Sequence, residues 1–261
     1  MIDLAKRLAR KVPQVTLFFW IIKLLNTALG ESTSDYLVNT FNPYLVVVVG
    51  FIGFIAILLV QFNTKRYIPW VYWLTIVMVA VFGTMAADVI HVALGVPYVV
   101  STLVFAVLLA IILILWRSTE KTLSIHSITT SRRELFYWMT VSATFALGTA
   151  AGDVMAYTAG LGFFSAGLLF IAIFAIPVIG YKFFNMNSIF AFWFAYIITR
   201  PIGASFADWT GKPISAGGLG FGDGPVAGVL ALLIIILVGF LSVSHDDVDT
   251  DRGSYKRASD R

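Results

Sequence analysis

Eight apolar runs, each long enough to cross a bilayer as a helix, dominate this chain. They cover residues 14–35, 44–62, 69–90, 97–116, 135–157, 161–180, 188–208 and 224–242. About 20 apolar residues cross a hydrocarbon core, and only helices and closed barrels can do so with every backbone group satisfied. Barrel strands alternate polar and apolar residues, whereas these runs are continuously apolar. The expected fold is an all-α integral membrane protein with eight transmembrane helices. Composition agrees: 59% of the 261 residues are hydrophobic and 12% charged, against about 25% charged in soluble domains. No cleavage site follows a short apolar stretch, so no cleaved leader is expected. The absence of cysteine excludes disulfides, thiolate metal sites and cysteine nucleophiles.

The basic residues set a topology. They cluster at Lys6, Arg7, Arg10 and Lys11, at Lys65 and Arg66, between Arg117 and Arg133, at Lys182, and from Arg252 to Arg261. By the positive-inside rule these segments are cytoplasmic, which puts both termini on that side. Only Lys23, Arg200 and Lys212 lie elsewhere. The basic excess is thereby explained by topology, and no nucleic-acid partner is expected. Residues 1–12 alternate apolar and basic side chains and are expected to lie on the inner leaflet as an amphipathic helix. Residues 13–242 form one membrane domain. Residues 243–261 read as a polar, disordered cytoplasmic tail.

An internal repeat runs through the membrane domain. Four times within the apolar runs an aspartate follows a glycine by five: Gly30/Asp35, Gly83/Asp88, Gly148/Asp153 and Gly203/Asp208. Each pair falls in the outer part of the first helix of a two-helix unit. The units are about 13–62, 69–116, 134–180 and 188–242, four parallel hairpins related by an axis along the membrane normal. Pro43, Pro97 and Pro225 stand near the start of the second helix in units one, two and four, where a missing N–H costs little.

The repeat places polar chemistry inside the membrane. A carboxylate near a helix centre costs roughly 2.5–3.5 kcal/mol on insertion scales, so four in register imply a shared use. The residue after each glycine lies four before the aspartate and shares its face: Glu31, Thr84, Thr149 and Ala204. Asn26 stands four before the first glycine. We therefore expect an ion-binding set of Asp35, Asp88, Asp153, Asp208, Glu31, Asn26, Thr84 and Thr149, with Glu31 and the four aspartates as metal ligands. The alternative for each aspartate is a structural role, capping the next helix or accepting backbone N–H groups. The glycines and alanines around them read mainly as packing.

Two basic residues fall within spans, Lys23 and Arg200, and both are candidates for gating or charge pairing at the site. Lys23 is expected to snorkel toward the cytoplasmic interface. Arg200 precedes Pro201, which should kink or break its helix. It is expected to pair with an aspartate of another repeat, with gating the site or mimicking the cation as alternatives. The glycine-rich segment Trp209–Gly224 reads either as a flexible outer lid or as a tight re-entrant turn. Asp223 adds a carboxylate there, leaving the membrane and outer portion net acidic, which favours a cationic ligand. His91, three after Asp88, reads as an interfacial helix-end residue. Met85 and Met155 read as packing, and the tryptophans at 70, 73, 116, 138 and 209 as interfacial belts.

The Gly-x4-Asp hairpins, the phrase Ala-Leu-Gly at 28–30 and 146–148, and the segment Arg200-Pro-Ile-Gly-Ala-Ser-Phe-Ala-Asp-Trp209 resemble a bacterial family of uncharacterised multi-pass membrane-anchored proteins. That family is built from a duplicated two-helix repeat of unknown function. The resemblance implies a multi-pass protein of the bacterial inner membrane and brings no activity with it.

The function expected from the residues is transport of a small cation. Carboxylate, hydroxyl and amide oxygens suit a divalent metal of the hard class. The competing readings are an exporter of an organic cation or small polar solute, and a non-transporting accessory or sensor protein. No enzyme activity and no cofactor are expected beyond the cation itself. The expected partners are lipid and that cation, and the chain is compatible with a homo-oligomer.

Overall fold

The computed structural model describes residues 10–248. Most of the expected N-terminal amphipathic helix, and the tail from residue 249, lie outside the described residues. Eight long helices form and no strand among the described residues: α1 (Leu17–Thr40), α2 (Pro43–Asn63), α3 (Pro69–Asp88), α4 (Tyr98–Glu120), α5 (Ser131–Asp153), α6 (Gly162–Phe183), α7 (Ser188–Gly211) and α8 (Asp223–Ser244). Local sequence sets several starts. Asn42 Oδ1 accepts from the Tyr44 and Leu45 N–H groups, and Asn187 Oδ1 does the same for Ile189 and Phe190. Such caps satisfy amide groups that a helix leaves unpaired at its start. Pro43 and Pro69 open α2 and α3, where fixed φ is an asset. Pro201 does not break α7, which passes through it as one helix.

Six helices are long and apolar enough to cross a membrane: α2, α3, α4, α6, α7 and α8. The chain is thus a membrane protein with transmembrane helices. α1 and α5 fall short because Lys23, Asn26 and Glu31 in one, and a run of Thr, Ser and Gly in the other, dilute their apolar residues. Both are instead lined with buried side chains.

The first helices of the four repeats close into an inner ring: α1 packs on α3, α3 on α5, α5 on α7 and α7 on α1. The second helices form an outer layer, with α2 against α3, α4 against α5, α6 against α7 and α8 against α1. The hairpin expected from the sequence is therefore not the packing unit. Each second helix lies mainly on the first helix of the next repeat, and the last returns to the first. Outer apolar side chains such as Val48, Ile52, Val107, Ile114, Leu232 and Ile236 remain exposed, as a lipid-facing layer requires.

One glycine contact repeats around the ring. A Cβ on Gly30 would strike Ala80, and one on Gly83 would lie 2.9 Å from Phe145 Cβ. A Cβ on Gly148 would strike Arg200, and one on Gly203 would strike Thr27. Ala80, Phe145, Arg200 and Thr27 each stand three residues before the glycine of their own repeat. The same contact made four times in turn sets all four glycines at one level around a common axis. Small residues allow this backbone approach.

Below that level, aromatic side chains fill the ring. Trp73, Trp116 and Trp138 are fully buried, which corrects their expected place in interfacial belts. They point inward because the ring has to be filled at native density. Tyr72 and Tyr137 share a hydrogen bond there. At the same end Lys11 Nζ donates to Glu134 at 2.6 Å, and Gln61 Nε2 donates to it at 2.9 Å. The start of the expected disordered tail is also ordered. Asp247 is buried, accepts from the Tyr67 hydroxyl, and its carbonyl accepts from Gln14 N at 2.9 Å.

Candidate functional site

The site forms where the ring helices carry their repeated polar residues. Arg200 on α7 is wholly buried, and all four repeats meet at it. Its Nη1 donates to the Thr27 carbonyl at 2.8 Å, and its Nη2 to Thr149 Oγ1 at 2.8 Å. The same Nη2 donates to the Thr84 hydroxyl and the Glu31 carboxylate. Glu31, Thr84 and Thr149 are the residues that follow the repeated glycines, so one register position supplies three partners. The expected aspartate partner is corrected to Glu31. Arg200 lies three residues before its glycine and two turns below Asp208, a level at which the glutamate, not the aspartates, is in reach.

Lys23 lies deeper and does not snorkel. It is 1% exposed, with its ammonium 3.9 Å from the centre of the Phe145 ring and 4.2 Å from that of Tyr196. Ring faces attract a cation, and the closed ring leaves the side chain no route to water. Asn26 is fully buried one turn above, and its Nδ2 donates to the Ile22 carbonyl at 2.8 Å. It faces its own helix and does not join the Arg200 cluster by any hydrogen bond among the described residues.

Above Arg200 lie the aspartates, near the C-terminal ends of the ring helices. Glu31, Asp35 and Asp208 each offer an oxygen within 4.8 Å of the other two. Asp153 lies within electrostatic reach of Glu31 and Asp35, and Asp88 within reach of those two and Asp153. The carboxylates of Asp88 and Asp153 are half-buried and form no hydrogen bond or ion pair among the described residues. Asp35 and Asp208 thus meet at Glu31, and Asp88 and Asp153 stand within electrostatic reach of that cluster without a partner among the described residues.

Asp35 is paired, by a residue outside the predicted set. Lys212, just beyond α7, donates to its Oδ2 and stands 3.8 Å from Asp208 Oδ1. Burial disfavours the Lys212 charge, but Asp35 and Asp208 outweigh it and push its pKa above the ordinary lysine value. Its position four after Asp208 was the available signal, since that spacing shares a helix face.

Two local features distinguish repeats two and three. Directly after Asp88 and Asp153, α3 and α5 widen into π turns at Val89–Ala93 and Val154–Thr158. Such turns are frequent at functional sites. They carry the chain to Tyr98 and Tyr157, whose rings stack with centroids 5.8 Å apart beside the acids. His91 packs on the Tyr98 ring, with centroids 4.4 Å apart, and its Nδ1 lies 3.3 Å from both Val96 O and Ser101 Oγ.

The loop after α7 is a tight turn, not a lid. Leu219 N donates to Trp209 O at 2.7 Å, Gly220 N to Lys212 O at 2.9 Å, and Gly222 N to Gly211 O at 3.1 Å. These bonds satisfy carbonyls that the helix end leaves free. Gly217, Gly220 and Gly222 take positive φ to make the turn.

Four segments, residues 18–67, 71–122, 136–186 and 191–246, match the family described as a repeat of unknown function (DUF347). No curated protein and no solved structure matches the chain. Each matched segment takes in one ring helix and the outer helix that follows it, so the chain belongs to the DUF347 repeat family.

Proposed function

We propose that the protein is a transporter of a small cation, a divalent metal, across the bacterial inner membrane. One observation carries the reading: Asp35 and Asp208 meet Glu31 above a closed helix ring, with Asp88 and Asp153 in electrostatic reach and unpaired among the described residues. Unpaired carboxylates in a membrane protein are costly to keep without a use. Six carboxylates gather at this end (Glu31, Asp35, Asp88, Asp153, Asp208 and Asp223) against Arg200 and Lys212. The remaining negative charge favours a cation, and oxygen-only donors suit the hard divalent class. The same carboxylates would carry protons when the ion leaves. In this reading all eight helices span the membrane as four parallel repeats. The outer helices shield α1 and α5 from lipid, and both termini are cytoplasmic. The acids then open to the outer face, and the aromatic plug seals the inner one.

The stacked Tyr98 and Tyr157 beside the acids favour a second reading, an organic cation as cargo, because aromatic faces bind such ions. Proteoliposomes separate the two. Saturable Mn²⁺ flux that is lost in Asp88→Asn and Asp153→Asn supports the metal. Flux of an alkylammonium ion alone supports the second reading. Flux of neither leaves an accessory or sensor role.

A further inference from the structure

Lys212 stands apart from the other cations of the site. Arg200 and Lys23 are locked inside the ring, whereas the Lys212 side chain is 21% exposed and sits at the rim. Arg200 holds Glu31 from below, and Lys212 holds Asp35 and Asp208 from above. Two built-in cations therefore bracket the three-carboxylate cluster. Only the fourth repeat places a cation four residues after its aspartate; the others have Asn39, Val92 and Tyr157 there.

The loop does not depend on that ammonium. Its anchors are backbone bonds: Leu219 to Trp209, Phe221 to Thr210, Gly222 to Gly211, and Gly220 to the carbonyl of Lys212 itself. Gly218 closes over the same carbonyl, where a Cβ would not fit. The side chain can swing out on its four-carbon stem while the turn stays closed. A further carboxylate lies near Lys212. Asp223 lies against Gly211, and its Oδ1 is shielded from water with no hydrogen-bond partner among the described residues.

We infer that Lys212 is a tethered occupant of the cation seat, which an arriving ion displaces from Asp35 and Asp208. The inference rests on the transport reading above. A tethered ammonium competes at high effective concentration, so it holds off ions that bind no better than it does. A monovalent ion exchanges one charge for one. A divalent ion brings one charge more to a seat with spare carboxylates, so the tether selects for divalent cargo and keeps the empty site closed.

Two measurements test this, with Mn²⁺ as the probe and the full chain in nanodiscs. Binding is read from loss of the free Mn²⁺ electron paramagnetic resonance signal. Lys212→Met should bind about ten-fold more tightly than wild type, because no fraction of sites is then self-occupied. Lys212→Arg should stay near wild type. In the wild-type protein, labelling of Lys212 by an amine-reactive ester should rise with Mn²⁺ and saturate with the binding curve. This second arm decides the matter if Lys212→Met does not fold. Equal affinity in wild type and Lys212→Met, or labelling that ignores Mn²⁺, overturns the inference and leaves the transport reading standing. Absence of Mn²⁺ binding in wild type and both variants overturns the two together.

Discussion

The guanidinium of Arg200 and the carboxylate of Glu31 join the fourth repeat to the first at the centre of the ring. Both groups are buried, and neither has water to fall back on. Removing one member of such a pair costs about 3–5 kcal/mol, because the other charge stays buried alone. Glu31→Gln should lower unfolding stability in detergent by that amount. Replacing both with methionine should restore much of it. A single variant as stable as wild type would show that the pair does not hold the ring.

Asp88 and Asp153 should behave in the opposite way. Neither has a partner to lose among the described residues, so Asp88→Asn and Asp153→Asn should each change stability by no more than about 0.5 kcal/mol. Mn²⁺ flux in proteoliposomes should fall at least about ten-fold. Loss of fold together with loss of flux would assign these residues to structure.

The glycine contacts predict a position-dependent effect of one methyl group. Gly30→Ala and Gly203→Ala push a Cβ into the neighbouring helix and should cost about 1–3 kcal/mol each. Gly228 on α8 has nothing within 4 Å of an added Cβ. Gly228→Ala should be neutral or stabilise by up to about 1 kcal/mol, since alanine is the better helix former. Thermal unfolding of the three variants decides it.

The orientation is open to reporter fusions. Fusions after Lys65, Arg133 and Lys182 should all report the cytoplasm. An external signal at any one would break the parallel arrangement of repeats.

The chain's spacing made the repeat legible, because glycine and aspartate five apart occur four times within apolar runs, where a carboxylate is costly. It also pointed to Glu31, Thr84 and Thr149, which the structure gathers at Arg200. It did not show which helices touch. The outer helices are apolar all round, and lipid and protein neighbours select the same residues, so α2 carries no mark that it belongs on α3. Lys23 and Trp138 were misplaced for a related reason. Rules for lone helices put such side chains at the interface, whereas a closed ring encloses them. The π turns after Asp88 and Asp153 depend on how neighbouring helices press on those positions, and no local sequence signal announces them.

Because α8 returns to α1 and Arg200 waits on α7, the ring has consequences for the order of synthesis. Among the described helices, α1 leaves the ribosome first, with Lys23, Asn26 and Glu31, and its neighbours α7 and α8 follow the other five. Until they arrive, Glu31 lacks its counter-charge and α1 lacks one wall. The fourth repeat is therefore a completeness check on the nascent chain. A product truncated before α7 keeps Glu31 without the Arg200 guanidinium that balances it.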